Sequence, residues 1–368
     1  MKMFIEEFVK FSFKLFNYMV SEDRDFFWNS VVSPYSFSQA VSILLNGVNK
    51  DIQTEIIEKL GFKYNIEEFN EKSNKYFKIL ISNCTENLKV ENFLLYQNDA
   101  EIKKKFVKVT KEFYNVKFIA FDPKNIKQEI NKLVADVTNG YKNETYNIFP
   151  RGTNLLVLNI MHLDIEWVHK FNKSGIEDFT TFKGPVKQEM MYQTSEFDTY
   201  EDSEIISIEM PYLNSDLSFV AVMPKDLVYW ETALKNIFSS QKLDDLLGKM
   251  TCKNVNLCFP KFKDFHAYDY QDYIKSLGLI CLVNNLKLDN IITGSSSISW
   301  YILHEMIIDM NMNGNIANKI PNVNASNLLN KSGINLSFNQ PFLWFIVKKD
   351  VENKCNIPIF MGQYLTPS

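Results

Sequence analysis

The chain is poor in the residues from which several kinds of functional site are built. Its five cysteines are scattered and include no Cys-x-x-Cys pair, which argues against a disulfide framework or a zinc site. None of its four histidines forms a recognised metal-binding motif with a cysteine or an aspartate. Phosphate-binding glycine loops, Gly-x-Ser-x-Gly elbows and His-Glu-x-x-His motifs are absent as well. The sequence therefore predicts no metal, no cofactor and no enzyme.

A Ser–His hydrolase is the catalytic alternative that the residues leave open. Ser33 or Ser36 could act with His304. The Ser33-Pro34 context is typical of a turn and gives no sign of an activated nucleophile.

Net charge and hydrophobic runs limit the classes of partner. The formal net charge of −4 does not favour nucleic-acid binding, and the basic run Lys103–Lys105 is interpreted as a solvated helix face. The longest apolar run, 155–163, contains polar residues and is too short to span a bilayer. The N-terminal residues have the pattern of an amphipathic helix and not of a signal peptide. We expect a cytoplasmic protein without a membrane or nucleic-acid partner.

Composition and pattern predict one large globular unit of mixed structure. The chain of 368 residues is 46% hydrophobic and has no linker or repeat, so residues 1–368 are predicted to form a single domain. Early segments have helical periodicity and later segments resemble strands, which favours the α+β class. Helices are predicted at 1–20, 35–60 and 100–115, and strands at 93–96, 154–161, 205–210, 217–223, 255–259, 343–347 and 357–361.

Short motifs in a fixed order resemble those of the serpin family. The segment Asn29–Ser36 is similar to the serpin entry strand and the start of the second helix, and the motif Asn339-Gln340-Pro341-Phe342 is similar to a later strand opening. The remaining landmarks agree in order and are Asn46-Gly47, Leu60-Gly61-Phe62, Leu158-Asn159 with Trp167, Met190-Met191-Tyr192, Glu209–Tyr212, Val222-Met223-Pro224, Phe259–Phe262, Leu277-Gly278 and Phe360-Met361-Gly362. The resemblance covers the whole chain and is greatest to intracellular poxvirus serpins. It implies three β-sheets, about eight to nine helices and an exposed reactive-centre loop.

The resemblance gives five polar or aromatic residues a structural role. Ser33, Ser36, Asn159 and His304 match the shutter, a hydrogen-bonded cluster beneath the central sheet. Trp167 matches the breach residue at the top of that sheet. Buried groups of this kind need partners, because leaving one unpaired costs about 1–3 kcal/mol.

The hinge before the loop departs from the inhibitory pattern. Gly314 matches the hinge glycine, but Met312 stands where the family has an acidic residue and Asn315 where it has a small residue. In an inhibitory serpin the cleaved loop enters the central sheet as a new strand, and alternate side chains must then be buried. Here that inward set would be Asn315, Ala317, Lys319, Pro321 and Val323. Ala317 fits a buried strand, whereas Lys319 carries a charge and Pro321 lacks an N–H.

The reactive bond is predicted from spacing in the loop. Counting forward from Met312 gives Leu328-Leu329, whereas counting back from Phe338 gives Asn330-Lys331. We prefer Leu328, since an apolar side chain suits a chymotrypsin-like pocket.

The resemblance implies an inhibitor of serine or cysteine proteases. It would be a viral modulator that meets a host protease or other host protein through residues 314–337. The alternative is a non-inhibitory serpin-fold protein that binds a partner or is cut as a substrate. A monomer is expected in either case.

Overall fold

The computed structural model describes most of the chain outside the predicted loop. The residues that it describes are 1–22, 28–82, 87–142, 153–231, 240–269, 274–275, 277, 279, 288, 290–293, 299–315, 333–350, 352 and 355–367.

Seven α-helices lie within these residues, most of them in the first part of the chain. Asn49 caps α3 by accepting a hydrogen bond from the Ile52 N–H. Asn65 and Glu68 form a reciprocal capping box at the start of α4. The predicted helix over 35–60 is two helices, since the chain turns at Gly47, where a side chain would meet Ile291. The helices are α1 (Lys2–Glu22), α2 (Pro34–Leu45), α3 (Lys50–Lys59), α4 (Ile66–Ile81), α5 (Lys104–Tyr114), α6 (Ile126–Val137) and α7 (Ser240–Lys249).

Sixteen strands account for most of the rest of the described chain. In chain order they are β1 (Ser30–Val32), β2 (Leu88–Gln97), β3 (Lys117–Phe121), β4 (Leu155–Leu163), β5 (Ile165–Glu166), β6 (Lys173–Thr181), β7 (Gly184–Glu201), β8 (Ile205–Pro211), β9 (Leu217–Pro224), β10 (Thr251–Pro260), β11 (Phe262–Asp269), β12 (Trp300–Asn311), β13 (Gly314–Asn315), β14 (Ile334–Ser337), β15 (Phe342–Asp350) and β16 (Cys355–Tyr364).

The described chain divides into two compact units, each built from several separate segments. Unit 1 contains 1–11, 34–162 and 265–306, and unit 2 contains 12–33, 163–264 and 307–368. The prediction of one domain over 1–368 stays a prediction.

Unit 1 is a sheet covered by helices. Its strands run in the order β3, β2, β4, β12. α6 packs an apolar face on this sheet, and the shared core comprises Phe93, Leu95, Phe121, Ile126, Ile130, Val134, Val137, Leu156, Leu158, Ile160 and Leu303. Because side chains alternate along a strand, Leu156, Leu158 and Ile160 face α6 while Asn159 faces the opposite side.

Unit 2 contains a nine-stranded sheet. Its order is β1, β16, β15, β9, β8, β7, β10, β14, with β6 also paired to β7. The long strand β7 pairs with β6 and β10 along its first part and with β8 at its end. The described strands therefore form two hydrogen-bonded sheets, where the resemblance implies three.

The α+β class is confirmed. Each of the seven predicted strands coincides with a strand of the structure, namely β2, β4, β8, β9, β10, β15 or β16, although Asn154 lies just before β4. The helices α4, α6 and α7 were not predicted. No helix among the described residues is long and apolar enough to cross a membrane.

Candidate functional site

The first residues of the predicted loop already form a sheet strand, β13, which follows β12 in the strand order. β13 pairs antiparallel with the end of β12, placing Asn315 opposite Met310. Its other edge pairs antiparallel with β5, placing Gly314 opposite Glu166. β13 is thus a strand with neighbours on both sides.

Gly314 has no room for any other side chain. Its φ is +142°, in a region that disfavours residues with a Cβ. A Cβ added there would lie 2.1 Å from the Ile165 carbonyl oxygen and 2.7 Å from the Glu166 Cα. Both are backbone atoms, so the close approach of β13 to β5 requires glycine.

Asn315 is buried and hydrogen-bonded. Its side chain is completely buried, and its Nδ2 donates to the Tyr212 hydroxyl at 2.7 Å. Its Oδ1 has no hydrogen-bond partner among the described residues. Burial raises the pKa of Tyr212 well above its ordinary value, so this hydroxyl stays protonated. Asn315, predicted as a departure from the pattern, is accommodated by Tyr212, which was not among the predicted site residues.

Trp167 fixes the turn that precedes β13. Its ring stacks on Tyr212 with centroids 4.5 Å apart and planes at 8°. Its Nε1 donates to the Asn311 carbonyl at 3.1 Å, and its backbone N–H donates to the Asn313 carbonyl at 2.9 Å. We name Trp167, Tyr212, Gly314 and Asn315 the hinge clamp. Met312 lies in the turn, where its carbonyl accepts from the Phe171 N–H at 2.9 Å.

A second polar cluster lies in unit 1, on the face of the sheet opposite α6. The Ser36 hydroxyl donates to Asn159 Oδ1 and lies 2.7 Å from His304 Nδ1. Asn159 Nδ2 donates to Asn92 Oδ1 at 2.6 Å. All of these side chains are buried. The three predicted residues Ser36, Asn159 and His304 are therefore brought together, and they tie α2 to both β4 and β12.

The network continues beyond the predicted residues. Asn92 Nδ2 donates to Gln39 Oε1 at 2.7 Å and to the Tyr114 carbonyl at 3.0 Å. Gln39 Nε2 donates in turn to the Tyr35 hydroxyl at 3.0 Å. Gln39 follows Ser36 by three positions on α2, so helical spacing is the signal that could have indicated it.

The Ser36–His304 contact is structural. A catalytic serine must meet a substrate, and both side chains are completely buried. Burial lowers the pKa of His304 to about 3, so its imidazole is neutral. No group of acidic, cysteine or histidine residues able to hold a metal occurs among the described residues.

A model of the family described as "Serpin (serine protease inhibitor)" matches residues 6–367. The chain belongs to the serpin family. Human Serpin B4 is 26% identical, with 97% of this chain and 98% of that protein covered. Rat corticosteroid-binding globulin is also 26% identical, with 98% of this chain and 90% of that protein covered. A solved thyroxine-binding globulin complex with thyroxine has a TM-score of 0.86 at 20% identity, covering 99% of both chains, which confirms the serpin fold.

For the other predicted serpin residues the structure gives less information. Ser33 is completely buried but belongs to unit 2, and its shutter role stays a prediction. Ala317, Lys319, Pro321, Leu328 and Leu329 lie outside the described residues.

Proposed function

We propose that this serpin presents the Leu328–Leu329 bond to a chymotrypsin-like serine protease and is cut mainly as a substrate. Membership of a family of serine protease inhibitors supports a protease as the partner. The observation that carries the substrate outcome is the register of β13 on β12.

The register of β13 on β12 determines which β12 residues would lie opposite the later loop residues if the loop inserted. Asn311 pairs with Gly314 and Met310 with Asn315. Continued in the same antiparallel register, Lys319 would lie opposite Met306 and Pro321 opposite His304. Met306 and His304 are both completely buried, so the two loop residues would enter the core side of the sheet.

Both residues oppose insertion at those places. A buried lysine without a partner loses its hydration and costs several kcal/mol. Proline has no N–H, so a central strand would lose one ladder hydrogen bond there. A protease is trapped only when insertion is faster than hydrolysis of the acyl-enzyme, and an early barrier favours hydrolysis.

The setting of this activity is a further part of the proposal. The resemblance to poxvirus serpins and the Asn- and Lys-rich composition support a viral protein that acts on a host protease in the host-cell cytoplasm, as a monomer. The second candidate is a serpin that binds a partner without inhibiting a protease. The similarity to corticosteroid-binding globulin and to the thyroxine-binding globulin complex favours that alternative.

The test compares the wild type with a Lys319→Ala/Pro321→Thr variant against a panel of chymotrypsin-like proteases. We expect the wild type to be cleaved with little SDS-stable complex, and the variant to form such a complex and gain thermal stability once cleaved. Asn315→Thr is the matched control and should not rescue trapping, because Asn315 is already seated in the sheet.

Mass spectrometry of the cleaved loop locates the bond. Cleavage only outside residues 326–331 would contradict both predicted bonds. A wild type that inhibits with close to one molecule per protease would refute the substrate proposal. Absence of any cleavage by the panel would favour the partner-binding candidate.

A further inference from the structure

An ion pair is buried on the α6 side of the unit 1 sheet. Lys142 Nζ lies 2.8 Å from Glu305 Oε2, and the Glu305 side chain is completely buried. Glu305 Oε1 has no hydrogen-bond partner among the described residues. Burial raises the pKa of Glu305, and the neighbouring Lys142 opposes that rise. A buried carboxylate depends on its cation, because an unpaired charge is costly away from water.

The turn after α6 positions Lys142 for this contact. Asn139 and Gly140 both adopt positive φ, which ends the helix and redirects the chain. The Gly140 N–H donates to the Ala135 carbonyl at 2.7 Å, and the Lys142 N–H donates to Thr138 Oγ1 at 3.2 Å. Lys142 is therefore held by the end of α6, and the ion pair connects α6 to β12.

The same turn also contacts β4. Tyr141 stacks on His162 with ring centroids 6.0 Å apart and planes at 16°. His162 lies on β4, whereas Glu305 lies on β12, and these two strands are direct neighbours in the sheet. Tyr141 and Lys142 thus contact opposite sides of the β4/β12 seam.

The apolar contacts of α6 are divided unequally between those two sides. The apolar cluster that contains α6 includes Phe93, Leu95, Leu156, Leu158 and Ile160 on β2 and β4, whereas on β12 it includes Leu303, with the partly buried Tyr301 packed against it. If the seam opened, α6 would therefore remain with β2 and β4. A strand placed in the seam would move β12 away by about 4.8 Å, which separates Glu305 from Lys142.

We propose that the Lys142–Glu305 ion pair is a clasp across the β4/β12 seam, and that these two positioning residues set how readily the seam opens to admit a strand. This inference rests on the proposed function in one respect only: insertion of the cleaved loop is the event that would place a strand in the seam. The clasp itself belongs to the uncleaved protein.

The test is hydrogen exchange of β4 and β12 in the uncleaved protein, without any protease. We expect Lys142→Met, which leaves the buried Glu305 carboxylate without its cation, to speed exchange at these strands by roughly tenfold or more, equivalent to about 1.4 kcal/mol. Lys142→Arg keeps the charge and should retain most of the protection. The double variant Glu305→Gln/Lys142→Met should exchange more slowly than Lys142→Met alone, because the buried charge is then removed as well.

Two controls separate the clasp from general destabilisation. Glu55→Gln removes the exposed Lys59–Glu55 pair and should leave exchange at β4 and β12 unchanged. β15 and β16 in unit 2 serve as internal references. If Lys142→Met does not fold, a double variant that does fold shows the same dependence of Glu305 on its cation, and a double variant that also fails to fold would overturn the clasp.

Unchanged exchange in Lys142→Met would overturn the clasp, as would a double variant that exchanges as fast as Lys142→Met. An equal rise at β15 and β16 would also overturn it, because the effect would then be global. Each of these results leaves the substrate proposal untouched, since cleavage and trapping are measured separately.

Discussion

The strand β12 has different neighbours at its two ends, and the comparison shows two ways of satisfying buried polar groups. At its C-terminal end, in unit 2, β13 pairs with it and brings Asn315 to the Tyr212 hydroxyl. Nearer its start, in unit 1, β12 pairs directly with β4, and His304 joins Ser36 in a cluster of resident side chains.

The difference concerns where the hydrogen-bonding partners come from. In the hinge clamp, the Tyr212 hydroxyl accepts a hydrogen bond from Asn315, which lies at the start of the loop. In the second cluster, Ser36 bonds to Asn159 and Asn159 bonds to Asn92, without the loop. The cluster of resident side chains can therefore form without the loop, whereas the hinge clamp needs the loop end to supply Asn315.

Replacing Gly314 by alanine should give the largest effect. The added Cβ would meet the Ile165 carbonyl at 2.1 Å, so β13 would have to leave the sheet. We expect a loss of roughly 3 kcal/mol in the free energy of unfolding and faster proteolysis within 311–316. Chemical denaturation and limited proteolysis measure these two effects.

Gly184→Ala is the control for this substitution. Gly184 also has positive φ, at +114°, but no atom lies within 4 Å of its added Cβ. Its cost should reflect backbone strain alone, about 1 kcal/mol. Equal effects of the two substitutions would show that the close approach of β13 to β5 contributes nothing.

Acidification should weaken the cluster of Ser36, Asn159 and His304. The pKa of His304 is lowered from 6.5 to about 3, so below pH 6.5 the unfolded chain binds a proton that the folded chain does not. The folded state should therefore lose about 2 kcal/mol between neutral pH and pH 5 from this residue. Denaturation of wild type and His304→Gln across that range isolates the contribution.

Glu305, the next residue in the chain, should change the pH dependence of stability in the opposite direction. The pKa of Glu305 is raised, so its contribution to stability increases as the pH falls through its folded pKa. A wild-type chain whose stability has the same pH dependence as that of His304→Gln would show that burial does not lower the pKa of His304.

Tyr212→Phe should have the smallest effect of the three. It removes the acceptor of the Asn315 Nδ2 bond but keeps the ring that stacks on Trp167. We expect a loss of about 1 kcal/mol, with increased hydrogen exchange at 314–315. Tyr200→Phe, which removes an exposed hydroxyl bonded to Asp202, is the matched control. If Tyr212→Phe lowers the free energy of unfolding no more than Tyr200→Phe does, the hinge clamp does not depend on this hydrogen bond.

Local patterns predicted the fold class well and the candidate site in part. Ser36, Asn159 and His304 were predicted as a cluster because the family motifs carry them, and the structure brings them together. Tyr212 was not predicted as a site residue, because its contact with Asn315 joins positions 103 residues apart. The location of Asn315 within a sheet could not be read from its residue type, because an amide is normally a turn or surface residue.

The stacking of Trp167 on Tyr212 makes the hinge clamp optically observable. Of the five tryptophans, Trp167 is the one whose ring contacts the acceptor of the Asn315 bond, whereas Trp28 is 63% exposed. Its emission depends on the polarity and packing around the ring, and both change when the neighbouring strand leaves. The chain therefore contains an intrinsic fluorophore for the occupancy of its own sheet, which can be followed in real time without a label.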